Sequence, residues 1–193
     1  MTRLGAAILL LILAAAAGFA SLLSFGPAPR SVSPVRSVDV PSAPASDGLR
    51  VPVAGVSRSA LRDSWNEARE GGARGHHGTD IMAHAGTPVV AVADGAIEKL
   101  FDSVRGGTTL YQRSPDRRWS FYYAHLAGYA PGLREGMRVR AGQLLGYVGD
   151  TGDAGRGNYH LHFGMTRMRG HERWWQGKNV NPYPLLARQP AGR

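Results

Sequence analysis

His76 and Asp80 stand four apart in Arg74-Gly75-His76-His77-Gly78-Thr79-Asp80, and His160 and His162 stand two apart in His160-Leu161-His162-Phe163. These are residue types that gather around one divalent cation. His125, in Tyr123-Ala124-His125-Leu126, is a fifth candidate between them in the chain. Imidazole and carboxylate together suit zinc, and a site with three protein ligands leaves a position free for an activated water. That chemistry belongs to a hydrolase rather than to a binding module.

The elements that must hold these groups can be read from their surroundings. Residues around His160-Leu161-His162-Phe163 favour a strand, in which positions i and i+2 face the same way, so both imidazoles project into one cleft. Either can ligate, and spacing does not choose between them. A helix would align His76 with Asp80, but Gly71, Gly72, Gly75 and Gly78 oppose one. A loop running into a strand at Asp80-Ile81-Met82 is expected instead, its glycines letting backbone approach a metal closely.

Other strand signals are short and punctuated by turns: Thr87 to Asp94, Ala96 to Phe101, Thr108 to Arg113, Trp119 to His125, Gln143 to Val148 and His160 to Thr166. Gly106-Gly107 and Ser114-Pro115-Asp116 suit hairpin connections. Ser59 to Arg69 is expected to form a short helix. Val139 to Gly149 has the turn-and-strand pattern also seen in lipoyl and biotinyl carriers. Those display a lysine in a hairpin, and neither Lys99 nor Lys178 has that setting. The fold class expected is mainly β, an antiparallel β-sheet or sandwich with barrel-like curvature.

From about Leu49 to Leu186 the chain resembles the lysostaphin-type (LytM-like) zinc metalloendopeptidases that cut peptidoglycan peptides. The resemblance runs in order through Arg74, His76-x-Gly78-x-Asp80, Gly86-Thr87-Pro88-Val89, Ala93-Asp94-Gly95, Tyr123-Ala124-His125-Leu126, Gly136, Val139-x-x-Gly142-x-x-x-Gly146, Gly149-x-Thr151-Gly152, His160-Leu161-His162-Phe163 and Asn181-Pro182-Tyr183-Pro184. It implies one Zn2+ per domain held by His76, Asp80 and His162, with His125 and His160 beside the water. One of these two would take the water's proton and deliver it to the leaving amine while the other steadies the oxyanion. The implied activity is hydrolysis of peptide cross-links in bacterial peptidoglycan, with its stem peptides as partner. The alternative is a non-catalytic relative that binds the wall or activates another hydrolase. A closed structural zinc site using His76, Asp80, His160 and His162 is a third reading. The chain departs from many members in having Gly164 where they have Glu after His-Leu-His-Phe, and in the turn Gly152 to Tyr159, where theirs is shorter.

Arg74, two residues before the first ligand, either holds a substrate carboxylate or carbonyl through its planar fork or makes a structural salt bridge. His77 is a weaker substrate-binding candidate that is expected to face solvent, as are His84 and His171. Trp174-Trp175 either lines a groove or packs under Pro182-Tyr183-Pro184, and the second is expected.

Composition sets the frame for this domain. The chain has 193 residues and no cysteine, which rules out disulfides, thiolate metal sites and a cysteine nucleophile. Arg3 precedes Leu4 to Gly26, an uncharged apolar run of about the ~20 residues that span a bilayer. Residues 1–26 are therefore expected to be a signal peptide or a membrane anchor, residues 27–48 a Pro/Ser-rich linker, 49–187 the metallopeptidase domain and 188–193 a tail. Export to the periplasm or cell envelope follows, with contact to the inner membrane through residues 4–26 if that segment is uncleaved. The formal net charge of +9 invites a nucleic-acid reading, but no recognition helix or stacked-aromatic RNA motif is present. No nucleic-acid partner is expected. An acidic polymer outside the cytoplasm fits the same charge.

Overall fold

The structure is a computed structural model that describes residues 49–188. The expected anchor, linker and extreme C-terminal tail lie outside the described residues. No helix among the described residues is long and apolar enough to cross a membrane.

Among the described residues eleven strands follow one another: β1 (Ala68–Arg69), β2 (Arg74–Gly75), β3 (Thr79–Met82), β4 (Pro88–Val90), β5 (Gly95–Ser103), β6 (Gly107–Arg113), β7 (Trp119–Tyr129), β8 (Arg138–Val139), β9 (Leu144–Val148), β10 (His160–Arg167) and β11 (Lys178–Val180). One short helix, α1 (Tyr183–Ala187), closes the domain. β1 and β2 form a two-stranded hairpin, and the other nine strands form a single sheet in the path β11-β10-β7-β6-β5-β8, with β3 on β10 and β9 bridging β4 to β7. Every strand pair is antiparallel, as short turn-bounded strands require. The mainly β, antiparallel expectation holds.

Alternation along the strands sorts the side chains. Ile81, Leu110, Tyr123, Leu161 and Phe163 enter the core with Val89, Leu145 and Leu186. Each such Leu or Phe contributes about 1.5–3 kcal/mol by leaving water. The Tyr123 hydroxyl is satisfied there, donating to Gln112 Oε1 at 2.7 Å and accepting the Val92 N–H at 3.1 Å. The opposite face of the same strands carries Asp80, Tyr122, Ala124, His160 and His162, which all line one cavity.

Three expectations about elements are corrected. Ser59 to Arg69 is not a helix: only Arg58–Ala60 makes a 3-10 turn. Asp63 Oδ1 accepts the Trp65 N–H, Asn66 has φ 61°, and the Asn66 N–H bonds to the His76 carbonyl at 2.8 Å, so the backbone is used elsewhere. The strand expected over Thr87 to Asp94 stops at Val90, beyond a register shift against β9, and the Ala91 N–H goes to the Gln143 carbonyl. Trp174 packs on Phe101 and Tyr111, with ring centroids 5.4 and 4.7 Å away, rather than under the C-terminal segment.

Candidate metal centre

β3 and β10 are neighbours, and their register sets His162 directly opposite Asp80. Both side chains therefore leave the sheet on the same side. His76 arrives from the loop between β2 and β3. The three donor atoms meet: His76 Nε2 lies 2.8 Å from His162 Nδ1 and 3.0 Å from Asp80 Oδ1, and His162 Nδ1 lies 3.0 Å from Asp80 Oδ1. Neighbouring donors around a tetrahedral ion with bonds of ~2.0 Å are about 3.3 Å apart, so a small outward shift accommodates one. His76 Nδ1–H donates to the Ser64 carbonyl at 2.7 Å, which fixes the tautomer and leaves the Nε2 lone pair facing the other donors. Lone pairs and a carboxylate oxygen converging this closely repel one another unless a cation or shared proton lies between them. The donor set fits a divalent metal.

Asp80 uses its two oxygens differently. Oδ1 faces the imidazoles, while Oδ2 accepts a hydrogen bond from Arg69 Nη2. Burial alone would raise the Asp80 carboxyl, but the adjacent His162 and His76 imidazoles, when protonated toward it with no cation between them, outweigh burial and hold the group well below the usual carboxylate range. Burial pushes the His162 imidazolium down from its ordinary value against the pull of Asp80. Gly78 lets the loop pass directly over that ring: a Cβ there would lie 2.6 Å from His162 Cε1 and 2.8 Å from the Phe163 carbonyl.

His125 reaches the cavity by an irregularity. Regular alternation would send it to the core beside Tyr123. Instead its φ is +61°, and the register of β6 against β7 shifts between Thr108↔Leu126 and Leu110↔Tyr123, so β7 carries an extra residue at a bulge. Leu126 returns to the core, β7 changes partner from β10 to β9, and the imidazole of His125 turns to the cavity. A left-handed non-glycine residue is uncommon and persists where its surroundings impose it.

His125 and His160 face each other with ring centroids 4.8 Å apart. His125 Nδ1–H donates to the Thr151 carbonyl and His160 Nδ1–H to the Asn158 carbonyl, each at 2.8 Å. Their Nε2 atoms are thereby the nitrogens free to exchange protons. His160 Nε2 lies 3.9 Å from Asp80 Oδ1. Burial lowers the His125 pKa against the opposing pull of the Thr151 carbonyl, with His160 and His162 adding to the fall.

The cavity above these groups measures about 510 Å³, and its wall includes Arg74, Arg105 and Asp153. His77 lies outside that wall, exposed, with its ring 5.5 Å from Trp65 and its Nδ1 3.2 Å from Asn179 Nδ2. His84 and His171 are exposed. Sequence reading missed the residues behind the site: Ser64, Arg69, Thr151 and Asn158. Three of the four act through main-chain carbonyls, which no side-chain pattern reveals.

Residues 74–182 match the sequence profile of Peptidase family M23. The chain is 38% identical over 133 residues to the L-Ala--D-Glu endopeptidase of Bacillus subtilis, a match covering 66% of this chain and 39% of that protein. It is 36% identical over 89 residues to the glycyl-glycine endopeptidase ALE-1 of Staphylococcus capitis, covering 46% of this chain and 24% of that protein. The catalytic domain of the antimicrobial peptidase lysostaphin from Staphylococcus simulans has the same fold, with a TM-score of 0.53 and 27% identity over 64% of this chain and 89% of that domain. The chain thus spans less than half the length of each of these two curated relatives.

Proposed function

This chain belongs to peptidase family M23, and we propose that it is a zinc-dependent endopeptidase that hydrolyses peptide cross-links of bacterial peptidoglycan. The observation behind this reading is the triangle of His76 Nε2, Asp80 Oδ1 and His162 Nδ1, with edges of 2.8 to 3.0 Å, at the base of an open cleft. When bound there, zinc supplies Lewis acidity, polarising a carbonyl and allowing water to ionise near pH ~7.

The chain's own groups do the rest. His125 and His160 direct their Nε2 atoms to the same side of the cleft, so one, as neutral imidazole, takes a proton from the attacking water and returns it to the leaving amine. The other, as imidazolium, donates to the developing oxyanion. The carbonyls of Thr151 and Asn158 keep both rings in the tautomer this requires. The complete donor set favours catalysis over a purely binding role.

Arg74 and Arg105 in the cleft wall favour a substrate with carboxylates, as stem peptides have, over an uncharged glycine bridge. The apolar run at residues 4–26 supports export to the cell envelope, where that substrate lies. The test is incubation of the full-length protein with purified sacculi, with and without chelator, followed by mass analysis of the released muropeptides. Chelator-sensitive release of peptides cleaved within the cross-link is the expected result. Intact cross-links with zinc bound would reject the reading.

A further inference from the structure

We infer that an aromatic run leading away from the metal centre is a docking track for the amino-sugar strand of peptidoglycan. This rests on the peptidoglycan reading above and extends it from the peptide to the glycan.

The run begins inside the cleft. Tyr122 lines the cavity, and its ring centroid is 5.9 Å from that of His162. Tyr111 stands opposite Tyr122 across β6 and β7, 4.7 Å ring to ring. Trp174 lies 4.7 Å beyond Tyr111, and it touches Phe101 at 5.4 Å and Trp175 at 5.0 Å. The far end is open to solvent, with Phe101 41% and Trp175 55% exposed. Gly164, facing Tyr122 on β10, adds no side chain over the track: the nearest atoms to a Cβ there would be those of Tyr122 and the His77 carbonyl, at 3.4 to 3.5 Å.

Three features select a sugar. Aromatic faces are electron-rich, and the C–H faces of a pyranose are apolar and electropositive, so the two stack while the sugar hydroxyls remain in water. Arg173 lies 5.3 Å over the Trp175 ring and puts positive charge where a polymer bearing peptide carboxylates would lie. The reach is of the same order: an extended peptide covers ~3.3–3.6 Å per residue, so a stem of three to five residues carries its sugar about 10–18 Å from the scissile bond, while the ring-to-ring steps from His162 to Trp175 put the exposed end at most about 20 Å away.

The test uses full-length protein and two probes. The first is peptide-free glycan strands of N-acetylated amino sugars, titrated calorimetrically with and without zinc. Saturable binding is expected in both states, weakened about five- to tenfold by Trp175→Ala and largely restored by Trp175→Phe. The second compares a cross-linked muropeptide carrying its disaccharides with the same cross-linked peptide stripped of sugar. Trp175→Ala should raise KM for the first by a similar factor and leave the second unchanged. Absence of glycan binding, or equal effects on both substrates, overturns the inference. If the wild type cleaves neither substrate yet binds the glycan, the endopeptidase reading fails and the docking track stands.

Discussion

Arg69 and Asp80 are joined through the one carboxylate oxygen that the imidazoles do not use: Nη2 of the arginine donates to Oδ2, leaving Oδ1 to His76 and His162. The hairpin of β1 and β2 thus reaches across to orient a proposed metal ligand. Arg69→Gln would free Oδ2 to approach the ion as a second donor. Zinc affinity, measured by competition with a chromophoric chelator, should fall about ten- to a hundredfold, and X-ray absorption should report an added oxygen neighbour. Unchanged affinity and coordination would exclude this role for Arg69.

The two sets of imidazoles should separate under mutation. Asp80→Ala or His162→Ala removes a corner of the donor triangle and should abolish stoichiometric zinc in the purified protein. His160→Ala should retain zinc and lose turnover by about 10²–10⁴. Metal content by mass spectrometry alongside sacculus hydrolysis reads both. Full activity in the His160 variant would remove it from the reaction.

Gly78 offers a test of packing against the metal centre. Its missing Cβ is space that the His162 ring occupies, with Nε2 2.7 Å from where that atom would lie. Gly78→Ala must displace either the ring or the main chain. A stability loss of about 1–3 kcal/mol by denaturant titration is expected. Weaker zinc binding should accompany it. Wild-type values for both would mean that the loop yields more easily than this contact implies.

Alkaline stability should depend on the buried phenols. Burial pushes Tyr111 from the ordinary 10.0 up to about 12. Between those values the unfolded chain has lost a proton that the folded one retains, so the Tyr111 contribution is fully present below pH ~10 and declines as pH rises towards 12. Thermal unfolding followed across that window should show a falling midpoint, with phenolate absorbance appearing only late. Tyr111→Phe should flatten the slope. An unaltered slope would assign it to other tyrosines.

Legibility followed periodicity. His160-Leu161-His162-Phe163 announced a strand with two imidazoles on one side and two apolar residues on the other, and β10 is built that way: Leu161 and Phe163 are 0% exposed in the core. Asp80 in a strand entered from a glycine-rich loop was equally readable. His125 was not readable as it stands, because two-residue alternation sends it to the same face as Tyr123, and only the bulge against β6 turns it outward. Bulges depend on a partner strand distant in sequence. The helix expected from Ser59 to Arg69 failed for a related reason, since the backbone at Asn66 and Glu67 bonds to His76 from outside the segment.

One connection, from Thr151 to Asn158, carries at its ends the two carbonyls that hold His125 and His160. It is also where the sequence departs from the shorter turn of many lysostaphin-type members. Adding or removing residues there would shift the gap between the paired imidazoles while leaving His76, Asp80 and His162 untouched. On the proposed endopeptidase reading, loop length is thus a place where proton delivery to the amine can be retuned separately from ion capture.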